Sequence, residues 1–441
     1  MRILAWVLTV LVASAACATT QAPDRLTVAT RITERAGIDT KGLPTPGRSW
    51  TSPPGTSLAD GLTIDEAVGI ALWNNPDFQV ALASLGLARA DLVDAGLLRN
   101  PVFSLLFPWG PKQLEFTLTW PIDALWLRPK RMQAARLNAD AVAEQLAANG
   151  LRVIADVRLA FFEVLVADRR LTLATEQAGV AGEAAKLAEG RLRAGDISEF
   201  EARLARADAV RLEAARLTGV ATRDLAVVRL RVLLGLEADA PAFALVEPAL
   251  TTAEGCAEGP GLLQAAMAAR PEVRAAELQI EAAGARAGVE RARILALTAS
   301  LDANAKGSEG FEMGPGVVVE LPVLSQNQGG RARATAEVEQ AARRYVAVRA
   351  TVAAEIGAAM VTLTQARNTA RLLSDDVAAS LSAARQQAER LYSAGEISLL
   401  DLLLTRQRLI DIEATRVDAV FGVNRAIVRL EQAIGRTCAP R

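Results

Sequence analysis

One five-residue motif occurs twice in this 441-residue chain, 200 positions apart: Ala194-Gly195-Asp196-Ile197-Ser198 and Ala394-Gly395-Glu396-Ile397-Ser398. The same shift pairs Val228-Arg229-Leu230 with Val428-Arg429-Leu430, and Gly235 with Gly435. Upstream the register slides by a few residues, yet Asn75-Pro76-Asp77-Phe78 matches Arg270-Pro271-Glu272-Val273, and Trp120-Pro121-Ile122 matches Leu321-Pro322-Val323. A duplication on this scale commits the chain to building one plan twice. The copies span 57–240 and 261–436, with a Pro- and Gly-containing connector at 241–260 and a tail at 437–441.

Each copy reads helix, strand pair, long helix, turn, helix. No proline falls between Pro129 and Pro241 or between Pro322 and Pro440, and these stretches are rich in Ala, Leu, Glu, Arg and Gln. Val153, Val157, Ala160, Val164, Ala167, Leu171, Ala174, Ala178, Ala181, Ala185, Ala188 and Leu192 keep the four-three spacing of a coiled-coil seam. In the second copy the seam is predicted to run from Val352, Ile356, Ala359, Leu363, Ala366 and Ala370 on through Leu373, Val377, Ser380, Ala384, Gln387 and Leu391. A helix from Pro129 to Ala194 would be about 100 Å long at ~1.5 Å per residue. The helices before the strands and after the turn, roughly 36 and 40 residues, are about half as long, so two laid end to end match the long one. The expectation is mainly α, with a long antiparallel helical hairpin turning at Gly195 and another at Gly395.

The strand pairs carry a different message. Apolar and polar residues alternate without exception over Gln113–Trp120, and again over Leu297–Lys306, with the charges on one face only. Pro101–Phe107 is the partner of the former, and the segment around Val317 and Val319 of the latter. One face suits lipid and the other water. A soluble half-buried sheet would alternate the same way, but two isolated hairpins in water would be marginal and open-edged. Four strands are too few to close a membrane barrel, so closure calls for several protomers.

The N-terminus is an export signal over residues 1–16: Arg2, an apolar run from Ile3 to Ala13, then small residues before Cys17. Cys17 sits where a bacterial lipobox places its acylated cysteine, although Ser14 occupies the usual aliphatic position. Residues 17–56, with Pro23, Pro44, Pro46, Pro53 and Pro54, read as an extended arm. Beyond the signal no apolar run nears the ~20 residues of a spanning helix.

Composition narrows the chemistry. With 49 basic against 50 acidic residues there is no field for nucleic acid. The absence of histidine removes the commonest general base and metal ligand, so no enzyme activity, cofactor or metal site is expected. An exported coiled-coil scaffold or a periplasmic adaptor is the competing reading, though an adaptor usually has a single hairpin among β-rich domains. An oxidising periplasm also permits a disulfide between Cys256 in the connector and Cys438 in the tail.

The two-copy order, the proline closing each strand pair (Pro121, Pro322) and the glycine turns (Gly195 to Ser198, Gly395 to Ser398) together resemble the TolC-type outer-membrane efflux family over about residues 57–436. The resemblance implies a homotrimer with one shared 12-strand β-barrel in outer-membrane lipid and a long α-helical tunnel in the periplasm. It further implies that the turns dock onto a periplasmic adaptor joined to an inner-membrane transporter. In that family an acidic residue six positions past the turn glycine lines the closed end of the tunnel; here those places hold Glu201 and Asp401. The family's second acidic position is Leu404 here and its basic partner Ile397, so any latch must be wired differently. Gly96-Leu97-Leu98-Arg99-Asn100-Pro101 resembles the heavy-metal efflux branch, a segment that drug and lipid-signal exporters share.

Overall fold

The computed structural model describes residues 22–438 apart from 45–49, 59, 108, 110–113, 238–239, 249–260, 306–309 and 374. Helices α1 (Arg25–Ala36), α2 (Ile64–Asn74) and α3 (Pro76–Gly96) lead into strands β1 (Val102–Leu106) and β2 (Leu114–Pro121), followed by α4 (Asp123–Ala194) and α5 (Glu199–Leu234). The order then recurs: α6 (Leu262–Ala269), α7 (Pro271–Ala292), β3 (Leu297–Ala305), β4 (Phe311–Val319), α8 (Gln328–Leu372), α9 (Asp375–Ser393) and α10 (Leu399–Ile434). The chain divides into two compact units, one holding 84–143 and 275–343 with residues up to Thr27, the other holding 28–83, 144–274 and 344–438.

The first unit contains the sheet. β2 pairs with β3, so the hairpins of the two copies merge into a single antiparallel sheet of order β1-β2-β3-β4. Directly opposed residues share a face, and the register sorts them cleanly. Ser104, Thr117, Asp302 and Gly314 align, as do Glu115, Asn304 and Glu312. On the other face Phe103, Leu118, Leu301 and Pro315 align, and so do Leu105, Phe116, Ala303 and Met313. That apolar face is uncovered, with Phe103 61% and Met313 63% exposed. Helix α4 begins at Asp123, six residues before the expected Pro129, which therefore lies inside it. Asp123 supplies the first-turn negative charge that a helix N-terminus favours.

The second unit is a helical core. Val157, Ala160, Val164, Ala167, Ala181, Ala185 and Ala188 are buried, as the first seam requires. In the second copy Val352, Ile356, Ala359, Leu363 and Ala366 are buried with Ala426, Ile427 and Leu430 of α10. Past α8 the predicted seam fails. The long helix is broken into α8 and α9, Ser380, Ala384 and Gln387 are exposed, and Ala388 is buried instead. The sequence Ser374-Asp375-Asp376 is itself a helix-start signal, a potential cap followed by acids, set inside the seam. The run Gln328–Ser393 holds an 18-residue window apolar enough by composition to cross a membrane, which the sequence reading did not expect. Its seam residues are spent on packing against α10.

The expected helix of about 36 residues before the strands is interrupted at Asn75, because the residue preceding a proline is pushed out of the helical region. Asn75 is buried, accepts from Phe78 N at 2.9 Å and donates to Leu233 O at 2.9 Å, in the last turn of α5. Its counterpart Arg270 is also buried, and donates to Gln432 O at 2.9 Å and Ala433 O at 3.0 Å, in the last turn of α10. Amide and guanidinium thus satisfy an equivalent orphan carbonyl in the two copies, Leu233 O and Ala433 O, and the guanidinium takes Gln432 O as well. The arm expected to be extended contains α1, whose Val28, Ala29, Ile32 and Ala36 form a buried stripe. Asp24 Oδ1 accepts from Thr27 N at 2.8 Å at its start. Farther along α1, Arg31 and Arg35 pair with the buried Glu144. Of the prolines that argued for extension, Pro23, Pro44, Pro53 and Pro54 lie outside the helical residues, and Pro46 lies outside the described residues.

Candidate functional site

The hairpin turns are built alike in both copies. Gly195 (φ +81°) donates to Leu192 O at 3.0 Å, and Asp196 N reaches Arg191 O at 2.9 Å. Gly395 (φ +76°) donates to Tyr392 O at 3.0 Å, and Glu396 N reaches Leu391 O at 2.9 Å. This is the left-handed glycine ending that satisfies the last carbonyls of a helix. Three residues later Ser198 and Ser398 start the returning helices α5 and α10.

Glu201 and Asp401, read from the sequence as constriction carboxylates, are the reciprocal members of two capping boxes. Ser198 N and Oγ donate to Glu201 Oε2 at 2.8 and 2.9 Å, while Glu201 N donates back to Ser198 Oγ at 3.3 Å. Ser398 Oγ donates to Asp401 Oδ2 at 2.6 Å, and Asp401 N to Ser398 Oγ at 3.2 Å. The signal for this was present in Ser-x-x-Glu and Ser-x-x-Asp. Both carboxylates are solvent-facing and held below their ordinary range. For Glu201 the leading cause is the backbone hydrogen bond from Ser198, for Asp401 the Ser198-equivalent hydroxyl of Ser398. Phe200 stands 74% exposed beside the first turn, with Leu400 at the matching place in the second.

A set of polar ties between hairpins escaped the sequence reading. Arg170 on α4 grips Asp418 on α10 through both ends of its fork, at 2.8 and 2.5 Å. Gln177 donates to Asp411 at 2.6 Å, and Arg385 on α9 reaches Glu176 at 3.1 Å. Within the second hairpin itself, Arg406 on α10 closes onto Glu389 on α9 at 3.0 Å. These partners lie up to 248 positions apart, so no local spacing could have announced them.

Cys438 is disulfide-bonded, and its backbone N–H donates to Glu431 Oε1 at 2.8 Å. Cys256, its expected partner, and Cys17, the expected lipid anchor, lie outside the described residues. Among the described residues no group of three or more acidic or cysteine side chains is placed to hold a metal ion.

Comparison with known proteins accords with this architecture. The chain is 26% identical over 383 residues, 86% of its length and 91% of the relative's, to the cobalt-zinc-cadmium resistance protein CzcC of Cupriavidus metallidurans. The crystal structure of CusC superposes with a TM-score of 0.68 at 18% identity, covering 94% of this chain and 99% of that one. The Campylobacter jejuni CmeC outer membrane channel gives a TM-score of 0.68 at 18% identity, covering 88% and 90%. The model of the outer membrane efflux protein family matches residues 67–236 and 262–436, the two copies themselves. This duplicated chain, with its one lipid-ready sheet and paired helical hairpins, is an outer-membrane efflux channel protein and belongs to that family.

Proposed function

We propose that three copies of the chain close a 12-strand barrel and that their hairpins enclose a periplasmic conduit reached through the turns. The observation carrying this reading is the four-stranded sheet itself: one face is apolar and exposed, β1 and β4 are edges, and four strands are too few to close. The turns at Gly195–Ser198 and Gly395–Ser398, with Phe200 and Leu400, would be the surface for a periplasmic adaptor linked to an inner-membrane transporter. The chain performs no catalysis in this scheme. Metal cations are the proposed cargo, supported by the likeness to a cobalt-zinc-cadmium resistance protein. Cys438 is proposed to pair with Cys256, fastening tail to connector, and Cys17 to carry an acyl anchor.

Glu201 and Asp401 would stand in threefold rings at the conduit's narrow end, attracting cations and repelling one another. The ties from α4 to α9 and α10 would hold the second hairpin against the first, the wiring that the family resemblance left open. Single-channel recording of purified protein in a planar bilayer tests the scheme. We expect small cation-preferring currents, a several-fold loss of cation preference in Asp401→Ala, and a smaller loss in Glu201→Ala. A monomer that passes no current would overturn it.

The capping boxes add a pH signature. A carboxylate depressed on folding contributes stability that is present above its unfolded value and lost as pH falls through its folded value. Cation preference and tip stability should therefore persist through the ordinary carboxylate range and fade only below it. Ser398→Ala removes the hydroxyl hydrogen bond that leads in depressing Asp401 and leaves the backbone one, so the pH at which preference is lost should move part of the way up. An unmoved profile would exclude Asp401 from the conduit.

A further inference from the structure

The strand ends align at one level, with Val102 opposite Thr119, Pro121 opposite Thr298 and Leu297 opposite Val319. In the segments that leave the strands at that end, Leu97, Leu125, Trp126, Leu321 and Leu324 are exposed apolar side chains. Next come cations. Over Gly96–Pro101 and Pro121–Arg136, the two segments that flank that level, the chain has Arg99, Arg128, Lys130, Arg131 and Arg136 against only Asp123. Arg291 and Arg293 take the matching place before β3.

The turn Gly96–Pro101 is held from below by these cations. Arg128 Nε donates to Gly96 O at 2.7 Å and Arg131 Nη2 to Leu97 O at 3.1 Å, capping the end of α3. Trp120 Nε1 donates to Arg99 O at 2.9 Å, which fastens the turn against the apolar side of β2. Arg131 Nε, buried under the turn, has no acceptor within the described protein. Two guanidinia are thus fixed rather than free to wander, while Arg99 and Lys130 stand exposed beside them.

We propose that this turn and its cations form a seat for the phosphate of anionic phospholipids in the periplasmic leaflet, with Leu97 and Trp126 against the acyl chains. An apolar and aromatic rim followed at once by clustered Arg and Lys is the pattern that a lipid interface selects. The leaflet follows from connectivity: the cations lie where the strands pass into the periplasmic helices, so they meet phospholipid headgroups and not the outer surface. This gives a task to the Gly96–Pro101 run that conduction does not explain.

Native mass spectrometry of the full protein in detergent, titrated with phosphatidylglycerol or phosphatidylcholine, tests the seat. Phosphatidylglycerol should be retained preferentially, and Arg99→Gln combined with Lys130→Gln should weaken its binding about 25-fold, at roughly fivefold per charge. Neither side chain is buried, so the variant should keep its fold, which circular dichroism verifies. Arg99→Lys should retain most of the binding, and Arg211→Gln on α5 should change nothing. Equal affinity for the two lipids, or a double variant that binds normally, would refute the seat.

Discussion

Gly235→Ala should destabilise the helical unit by about 3–5 kcal/mol, combining the cost of a left-handed alanine with that of overpacking. Gly235 ends α5 at φ +65°, and a Cβ there would stand 2.2 Å from the backbone oxygen of Asn74 and 2.5 Å from its carbon. Asn74 has little room to retreat, because its side chain exchanges hydrogen bonds with Thr51 N and O at 2.7 and 2.8 Å. The other turn glycines make a graded control. At Gly435 the nearest atom to such a Cβ is Arg270 Cδ at 3.1 Å, and at Gly195 nothing lies within 4 Å. Urea unfolding followed by helical circular dichroism should rank Gly235→Ala well above Gly435→Ala, with Gly195→Ala last at about 1–2 kcal/mol from backbone conformation alone. Three equal losses would show that the close approach of α5 to Asn74 is immaterial.

Arg270→Met should cost about 2–4 kcal/mol, because two charge-assisted hydrogen bonds to helix-end carbonyls are lost while its carboxylate partners keep access to water. The guanidinium caps two carbonyls of α10 and meets Glu272 at 3.0 Å and Glu355 at 2.9 Å, with only 7% of its side chain exposed. Methionine fills the volume and leaves both carboxylates without their counter-charge. Adding Glu355→Gln should recover part of the loss, and the same melting experiment reads it. Asn75→Ala in the first copy removes only neutral hydrogen bonds and should cost less, about 1–2 kcal/mol. A neutral Arg270→Met would mean that the copies do not depend on this joint.

Arg270 and Asn75 also mark the limit of what the sequence displays. The repeat, the first seam and the alternating strands were legible because each is a local periodicity that burial imposes on neighbouring residues. The pairing of β2 with β3 was not, since nothing in either hairpin encodes the register of the other. The second seam misled beyond Ala370 because heptad spacing ignores a cap signal set within it. Asn and Arg looked like a weak match between copies, and only coordinates reveal that both reach for the equivalent helix-end carbonyl, Leu233 in one copy and Ala433 in the other. Glu201 and Asp401 were singled out by the family's position six past the turn glycine, while Ser198 and Ser398 were overlooked as their local partners. The ties of Arg170, Gln177 and Arg385 depend on how distant helices lie, which spacing does not record.

The merging of the hairpins into one sheet carries a consequence for how the protein is made. Every hydrogen bond between β2 and β3 joins residues from opposite halves of the gene product, and such distant pairings form slowly compared with helices that fold on local contacts. While the chain is still being exported, the first hairpin has no neighbour to pair with. Its greasy side therefore stays incomplete until the second hairpin, which ends at Val319, has been delivered. The duplication thus acts as a clock: a chain halted before its second hairpin holds no finished surface with which to enter a bilayer, and only one carried past Val319 does.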